Sequence, residues 1–246
     1  MDLKQLENYL ISLSDSLTGE RSQLLNIRLK SLISVFPFNK FEYILMFLLD
    51  SKIINFEDYE QLRNDYISSN KYLELYNLSP RIFGETWAQN HIKDLDMNNS
   101  FIKPEKDSDK NYVGQYDLLY KSGNDSIKVE VKSSRAVNRN KKGELSSKAL
   151  YYKSTDPFWM NFQQIKLNIC DIFIFLGVWI DQICYWVLSN EDVKNNKYLS
   201  PQHRGGIEYQ IGITNKNIGE FEQYIVEPSS IGQAIIKKYR SLSEIT

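Results

Sequence analysis

Two apolar runs in the second half of the chain restrict the fold more than any other feature of the sequence. They are residues 172–180 (IFIFLGVWI) and residues 183–188 (ICYWVL), and Asp181 and Gln182 separate them. Short continuous runs rich in β-branched and aromatic residues are typical of central strands covered on both faces. Neither run reaches the roughly 18 residues of a membrane span. The runs therefore predict two neighbouring strands in the middle of a layered α/β domain.

A hairpin is predicted upstream of these strands, at residues 116–134. Gly123 and Asn124 indicate a tight turn between two short β-prone runs. The second run alternates apolar with charged side chains: Ile127, Val129 and Val131 alternate with Lys128, Glu130 and Lys132. Since a strand has a side-chain period of two, the apolar set faces a core, and Glu130 and Lys132 share the opposite face about 6–7 Å apart. The first strand of the hairpin can bring Asp117 beside them.

Two carboxylates and one ammonium group in this arrangement suit metal-dependent hydrolysis of a phosphodiester. Mg²⁺ prefers a few carboxylate and carbonyl oxygens and keeps several waters. A bound metal acidifies water and holds the phosphodiester during in-line displacement. Lys132 can position the attacking water or stabilise charge in the transition state. The alternative is a solvated strand face with an unrelated aspartate upstream, because Glu-x-Lys is a frequent surface pattern.

The order of these residues resembles the signature of the PD-(D/E)XK nuclease superfamily, an acidic residue and a hairpin followed by Asp/Glu-x-Lys with an apolar x. Asp117 matches the first acid, Glu130 the second, Val131 the apolar position and Lys132 the lysine, while Tyr116 stands where many members have proline. The resemblance covers roughly residues 79–215. It implies a restriction-endonuclease-like α/β core, with a central mixed sheet flanked by helices. It also implies that Asp117, Glu130 and the Val131 carbonyl hold Mg²⁺ and that Lys132 orients or activates the water.

A helix is predicted at residues 80–95, because Ser79 is a favourable N-cap and Pro80 suits the first helical position. Glu85 on this helix lies roughly thirty residues before Asp117. It resembles the additional helical glutamate that many members of the superfamily use to support the metal or its waters. An ordinary exposed helix glutamate is the alternative.

A second helix is predicted after the hairpin, from Asp156 and Pro157 to about Cys170. Its apolar face would consist of Phe158, Phe162, Ile165 and Ile169, at helical spacing. A helix at this place also fits the core that the resemblance implies.

Positive charge is concentrated directly after the predicted catalytic strand. Residues 132–153 contain seven Lys or Arg and one Glu, a charge of +6, so the other 224 residues carry −7 of the net −1. Such patches bind phosphate backbones, whereas a flexible solvated loop is the alternative. The predicted DNA contacts in this segment are Ser133, Ser134, Arg135, Asn138, Arg139, Asn140, Lys141, Lys142, Lys148 and Lys153.

A second set of DNA contacts is predicted in the loop before the strand at residues 209–213. Gln202, His203 and Arg204 are residue types that recognise base edges, and the following Gly205-Gly206 pair lets the backbone approach a partner closely. A surface turn whose glycines only satisfy backbone geometry is the alternative.

Apolar stripes predict helices through most of the first part of the chain, so we expect a helical N-terminal subdomain at residues 1–77, for DNA contacts or dimerisation, and the nuclease core at residues 78–246. Cys170 and Cys184 are expected to be unpaired core thiols of a cytoplasmic protein. No secretory signal is expected, since Asp2, Lys4 and Glu7 interrupt the N-terminus.

Among members of the superfamily that it resembles, a chain of this length without a helicase domain looks most like a type II restriction endonuclease. Such an enzyme would cut double-stranded DNA at a short palindromic sequence as a homodimer, and a cognate DNA methyltransferase would accompany it. A structure-directed repair or recombination nuclease of the same superfamily is one alternative. A non-catalytic DNA-binding protein is another, in which the basic loop binds DNA and the carboxylates are accidental.

Overall fold

The structure, a computed structural model, describes residues 3–31, 40–202 and 207–243 and divides into two compact units, Met1–Glu74 and Leu75–Thr246. Within its described residues the N-terminal unit contains four helices: α1 (Leu3–Asp15), α2 (Glu20–Ser31), α3 (Lys40–Asp50) and α4 (Phe56–Ser69). Leu10, Leu45 and Leu48 are fully buried in its core. The helical N-terminal region predicted from the apolar stripes is therefore confirmed. The sequence Phe36-Pro37-Phe38, expected to interrupt the second and third apolar stripes, lies outside the described residues.

The C-terminal unit contains ten strands within the described residues. In chain order they are β1 (Phe101–Ile102), β2 (Leu118–Ser122), β3 (Asp125–Arg135), β4 (Val137–Asn138), β5 (Phe158–Ile165), β6 (Ile172–Val178), β7 (Ile183–Ser189), β8 (Leu199–Pro201), β9 (Tyr209–Thr214) and β10 (Ile225–Val226). The first sheet has the order β1-β2-β3-β6-β7-β10, in which β3 and β6 are parallel and all other neighbours antiparallel. A second, antiparallel sheet has the order β4-β5-β9-β8.

Helical segments accompany the two sheets. They are a π-helical segment (Ile82–Ala88) that continues into α5 (Gln89–Asp94), then α6 (Asn190–Lys194) and α7 (Ile231–Ser243), with 3₁₀ turns at Leu73–Asn77, Ser146–Lys148, Ile218–Tyr224 and Pro228–Ser230. The predicted α/β class, with a mixed sheet flanked by helices, is confirmed. No helix within the described ranges is long and apolar enough to cross a membrane.

The two faces of the first sheet are covered differently. One face packs against the second sheet, where the ring of Phe162 on β5 stacks on Phe175 of β6 with centroids 4.5 Å apart. The other face meets helices, since Tyr120 of β2 lies against Gly232 of α7 and the His91 ring of α5 stacks on Tyr185 of β7. Every residue of β6 and β7 is buried, as the two apolar runs predict.

The helix predicted from Asp156 to Cys170 is wrong, because this segment forms strand β5. The side chains of Phe158, Met160 and Phe162 are buried with the period of two that a strand requires. A register shift between Phe162 and Ile165, at a positive φ of Gln164, then returns Ile165 to the core. This bulge turns an alternating pattern into apolar spacings of four and three, which is also the helical pattern.

Candidate active site

The β2–β3 hairpin has the predicted turn, with Ser122 paired to Asp125 and Gly123 at a φ of +59°. Strand β3 is much longer than β2, and the pairing ends where Leu118 faces Val129. Asp117 lies directly at this point and donates its N–H to the Val129 carbonyl at 3.2 Å. The rest of β3 therefore has an open edge on the β2 side, and Asp117 stands at the start of it.

The side chain of Asp117 takes the place of a neighbouring strand at this edge. Its Oδ2 accepts a hydrogen bond from the Val131 N–H at 2.9 Å. The N–H and C=O of one strand residue point to the same side, so the Val131 carbonyl also faces the Asp117 edge. The hairpin thus gathers two of the proposed metal ligands at one place.

Glu130 and Lys132 lie beside Asp117 on β3. Lys132 Nζ is 2.7 Å from Glu130 Oε1, and the two side chains are only 16% and 9% exposed. The carboxyl groups of Asp117 and Glu130 are themselves within hydrogen-bonding reach of each other. The structure therefore brings together the two acids and the lysine that the sequence singles out.

Burial raises the pKa of both carboxyl groups. Desolvation raises the pKa of Asp117, against the opposing effects of the Val131 N–H and Lys132. Desolvation, with the charge of Asp117, raises the pKa of Glu130 to about 7, and Lys132 acts in the opposite direction. One ammonium group does not compensate two buried carboxylates, so the pair favours a cation at this position.

Gln89 is a site residue that the sequence reasoning missed. Its Nε2 donates to Asp117 Oδ1 at 2.8 Å, so each oxygen of Asp117 is held by a separate donor. Its position four residues after Glu85 could have indicated it, since side chains at this spacing lie on one face of a helix. The π-helical segment directly before Gln89 sets the direction of that face, and such segments are frequent at functional sites.

Glu85 lies on the predicted helix but does not reach the carboxylates of the hairpin directly. The Ser79 hydroxyl accepts from the Ile82 N–H at 3.4 Å, as expected for the N-terminal cap. The Glu85 carboxylate pairs with Arg81 at 2.8 Å and its side chain is 63% exposed. Its charge raises the pKa of Asp117, but less than burial does.

Three of the side chains predicted to contact DNA are directed into the protein. Arg135 is buried, donates to the Leu78 carbonyl at 2.7 Å and lies 4.0 Å above the Phe83 ring, and desolvation lowers its pKa to about 10. The Ser134 hydroxyl accepts from the Asn161 N–H at 2.9 Å. Asn138 donates to Asp156 at 2.9 Å. Their polar groups hold β3 and the following segment in place.

The remaining residues of the basic segment lie nearer the surface. Arg139, Asn140, Lys141, Lys142 and Lys153 are exposed, while Ser133 and Lys148 are half-buried. Within the described residues none of the four lysines has a carboxylate within ion-pair distance. The Arg139 guanidinium lies 5.6 Å from the centre of the Trp159 ring.

Of the second predicted set, Gln202 is a half-buried residue whose Oε1 accepts from the Gln164 N–H at 2.9 Å. It therefore stabilises the bulge in β5. His203 and Arg204 lie outside the described residues.

The hairpin offers oxygen donors of the kind that Mg²⁺ prefers. In the part of the chain that the structure describes, no three His, Cys, Asp or Glu side chains gather into a metal centre. Asp117, Glu130 and the Val131 carbonyl would hold the ion, and water would complete a coordination sphere of the kind that Mg²⁺ prefers. The uncompensated charge of the two buried carboxylates is the observation that supports this fit.

Comparisons with known proteins give little beyond this geometry. No protein-family model matches the sequence, and no curated protein matches it. Among solved structures the chain is similar to the bacterial homing endonuclease I-Ssp6803I, with 14% sequence identity, a TM-score of 0.36, and coverage of 69% of this chain and 100% of that chain. A likeness at that score identifies neither a family nor a function.

Proposed function

We propose that the chain is a magnesium-dependent endonuclease of the PD-(D/E)XK type, and specifically a type II restriction endonuclease that cleaves double-stranded DNA. The observation that carries the proposal is the convergence of Asp117, Glu130 and Lys132 at the open end of one hairpin. Their order along the chain is that of the superfamily signature.

The residues of the hairpin would share the work as follows. Asp117, fixed through both of its oxygens, and Glu130 bind the ion, with the Val131 carbonyl as a further ligand. When bound, Mg²⁺ acidifies a water molecule and stabilises negative charge on the phosphate. Lys132, held at the site by Glu130, donates hydrogen bonds to the attacking water or to the developing charge on the phosphate.

The positive surface beside the site supports nucleic acid as the substrate. Arg139, Lys141, Lys142 and Lys153 are exposed on the segment that follows the catalytic strand. Phosphate backbones bind to such groups with strongly salt-dependent affinity. We further propose that the protein acts as a homodimer and cleaves at a short palindrome. A cognate methyltransferase would be present in the same cytoplasm.

Cleavage of unmethylated plasmid and phage DNA, with Mg²⁺ and with EDTA, tests this proposal. We expect discrete fragments with Mg²⁺ whose sequenced ends reveal one site, and none with EDTA. Asp117→Asn and Glu130→Gln should abolish cleavage and leave DNA binding largely intact. Asp125→Asn, which alters the acid at the start of β3 next to the turn, is the matched control and should cleave normally.

Three outcomes would contradict the proposal. Cleavage in EDTA, or near-normal cleavage by both variants, would remove the hairpin carboxylates from the chemistry. Cleavage of nicked or branched DNA without any preferred sequence would replace the restriction enzyme by a structure-directed nuclease. Salt-sensitive DNA binding without cleavage of any substrate would show that the protein is a non-catalytic DNA-binding protein.

A further inference from the structure

The second sheet presents a polar face to the outside, next to the candidate active site. Met160 and Phe162 of β5 point into the core between the sheets, so the alternate residues Trp159 and Asn161 point outward. Their partners across the ladder on β9 are Thr214 and Gly212. We call Trp159, Asn161, Gln210, Gly212 and Thr214 the outer sheet face.

Trp159 is 36% exposed and packs against the neighbouring strand β9. Its ring lies across Gly212, where an added Cβ would come within 2.8 Å of the indole. The Arg139 guanidinium lies 5.6 Å from the ring centre. An exposed tryptophan that is positioned in this way is typical of contact surfaces, since it supplies a large apolar area at little entropic cost.

Next to the tryptophan, two amide side chains form a pair. Asn161 Nδ2 donates to Gln210 Oε1 at 3.0 Å, so the Gln210 amino group remains available as a donor. Asn161 Oδ1 is buried without a hydrogen-bond partner among the described residues. An unsatisfied buried acceptor is costly, and a ligand that supplies a donor to the rearranged amide would remove this cost. Side-chain amides of Asn and Gln match the adjacent donor and acceptor on the major-groove edge of adenine.

Positive charge borders the outer sheet face at its β4 edge, and strand β3 contacts the same sheet at Asn161. Arg139, Lys141 and Lys142 directly follow β4, the edge strand of the same sheet. On β3, Ser134 bonds to the Asn161 N–H at 2.9 Å. Lys132 is two residues before Ser134, so Asn161 lies roughly 10 Å from the lysine by the rise of a strand. A polar face between a cationic border and a hydrolytic centre is complementary to a duplex, whose phosphates flank the base edges.

We infer that the outer sheet face is the sequence-recognition surface of this protein, and that Asn161 and Gln210 contact base edges in the major groove of duplex DNA. Trp159 packs against the adjoining sugar or base, and Arg139, Lys141 and Lys142 contact phosphates. The major groove admits a two-stranded β-ribbon, and β5 and β9 are such a pair. The inference rests on the proposed function, because duplex DNA is the substrate in both.

Selection of bound duplexes from a randomised pool, using the full-length protein in EDTA, tests the inference without any cleavage. We expect wild-type protein to enrich a defined sequence. The double variant Asn161→Ala/Gln210→Ala should bind the pool within about threefold of wild type but lose the preference at one or two base pairs, since a bidentate contact discriminates by about 10- to 150-fold. Trp159→Ala should weaken binding to all sequences. Gln233→Ala, on the exposed side of α7, is the matched control and should select the wild-type sequence.

Unchanged sequence preference in the double variant, with a wild-type circular dichroism spectrum, would overturn the inference. Absence of any enriched sequence with wild-type protein would overturn it as well, and so would tighter binding to an RNA duplex of the same sequence. The two proposals fail separately. Sequence-selective binding that Asn161 and Gln210 control, without Mg²⁺-dependent cleavage, would refute only the nuclease. Normal site-specific cleavage by the double variant would refute only the recognition surface.

Discussion

Strand β3 contains two polar stretches whose side chains have different partners. In the first, Glu130 and Lys132 bond to each other beside Asp117, at an open sheet edge. In the second, the Ser134 side chain bonds to the N–H of another strand, and the Arg135 side chain bonds to the carbonyl of a helix-preceding loop. Polar groups that bond to distant backbone fix the fold. Charged groups that bond mainly to each other, and whose net charge is not fully compensated, are free to bind an ion or a reacting group.

Removing Lys132 is expected to have the largest effect. Lys132→Ala should lower the cleavage rate by about 100- to 1000-fold, because one preorganised donor to developing charge is lost. Single-turnover cleavage on the selected duplex measures this loss. Lys128→Ala alters a lysine on the same face of the same strand and should cleave within a few-fold of wild type. Equal losses in both variants would show that the effect is not specific to the site.

Arg135→Ala should act on stability and not on DNA. Loss of the bond to the Leu78 carbonyl and of the contact with Phe83 should lower the free energy of unfolding by about 3 kcal/mol. Tryptophan fluorescence during urea unfolding reports on this unit, since Trp87, Trp159, Trp179 and Trp186 all lie in it. Arg139→Ala, the exposed counterpart, should leave stability nearly unchanged. A wild-type unfolding midpoint for Arg135→Ala would contradict the structural role assigned to the second polar stretch of β3.

Gln89→Leu should lower cleavage by about 10- to 100-fold and raise the Mg²⁺ concentration required. The reason is that Asp117 loses the donor that orients Oδ1, and partners of metal ligands typically have effects of this size. A magnesium titration of the cleavage rate separates weaker metal binding from slower chemistry. Gln115→Leu serves as a control, since Gln115 bonds only within its own loop. An unchanged titration curve for Gln89→Leu would remove its positioning role.

Glu130→Gln should stabilise the metal-free protein by about 1–2 kcal/mol at neutral pH, although it abolishes cleavage. The pKa of Glu130 is raised on folding, so its contribution to stability is present below its unfolded pKa of 4.5 and is lost as the pH rises through about 7. The stabilisation should therefore be absent below pH 4.5, grow as the pH rises from 4.5 to about 7, and stay constant above that. Urea unfolding in EDTA at several pH values measures it, with Glu144→Gln as the exposed control. A difference in unfolding free energy between the variant and wild type that does not change with pH would show that the raised pKa of Glu130 is not its cause.

The smallest effect is expected for the exposed lysines of the basic segment. Lys141→Ala/Lys142→Ala should weaken DNA binding by several-fold and make the slope of log affinity against log salt less steep by about 2, one phosphate contact for each lysine. Binding of a labelled duplex at several salt concentrations measures the slope. Lys194→Ala/Lys197→Ala is the control, since both of those lysines already pair with glutamates. An unchanged slope would show that Lys141 and Lys142 do not contact the DNA phosphates.

The strands and the hairpin were predictable because their apolar residues follow a period that local geometry imposes. The continuous apolar runs predicted β6 and β7, and Gly123-Asn124 predicted the turn. Alternation along β3 predicted the common face of Glu130 and Lys132. The same reasoning failed at β5. The bulge at Gln164 exchanges the inward-facing and outward-facing positions of the strand. Gln202, which stabilises the bulge, lies 38 residues away in the sequence.

The role of individual polar residues depended on contacts that composition does not encode. Gln89 meets Asp117 only because the helix packs against the hairpin, 28 residues later in the chain. Arg135 counts toward the positive charge of its segment, yet its guanidinium lies on the Phe83 ring inside the protein. Charge density along a sequence indicates a nucleic-acid partner, but burial decides which of the charges can reach it.

The hydrogen bond between the Val131 N–H and Asp117 has a practical consequence for spectroscopy. Most central-strand amides bond to carbonyl groups, whose hydrogen bonds do not change when an ion binds. The amide proton of Val131 instead bonds to the carboxylate proposed to hold the ion, so its chemical shift and its rate of exchange with solvent should follow the occupancy of that carboxylate. A single resonance would then report assembly of the site in an inactive variant, with no DNA present.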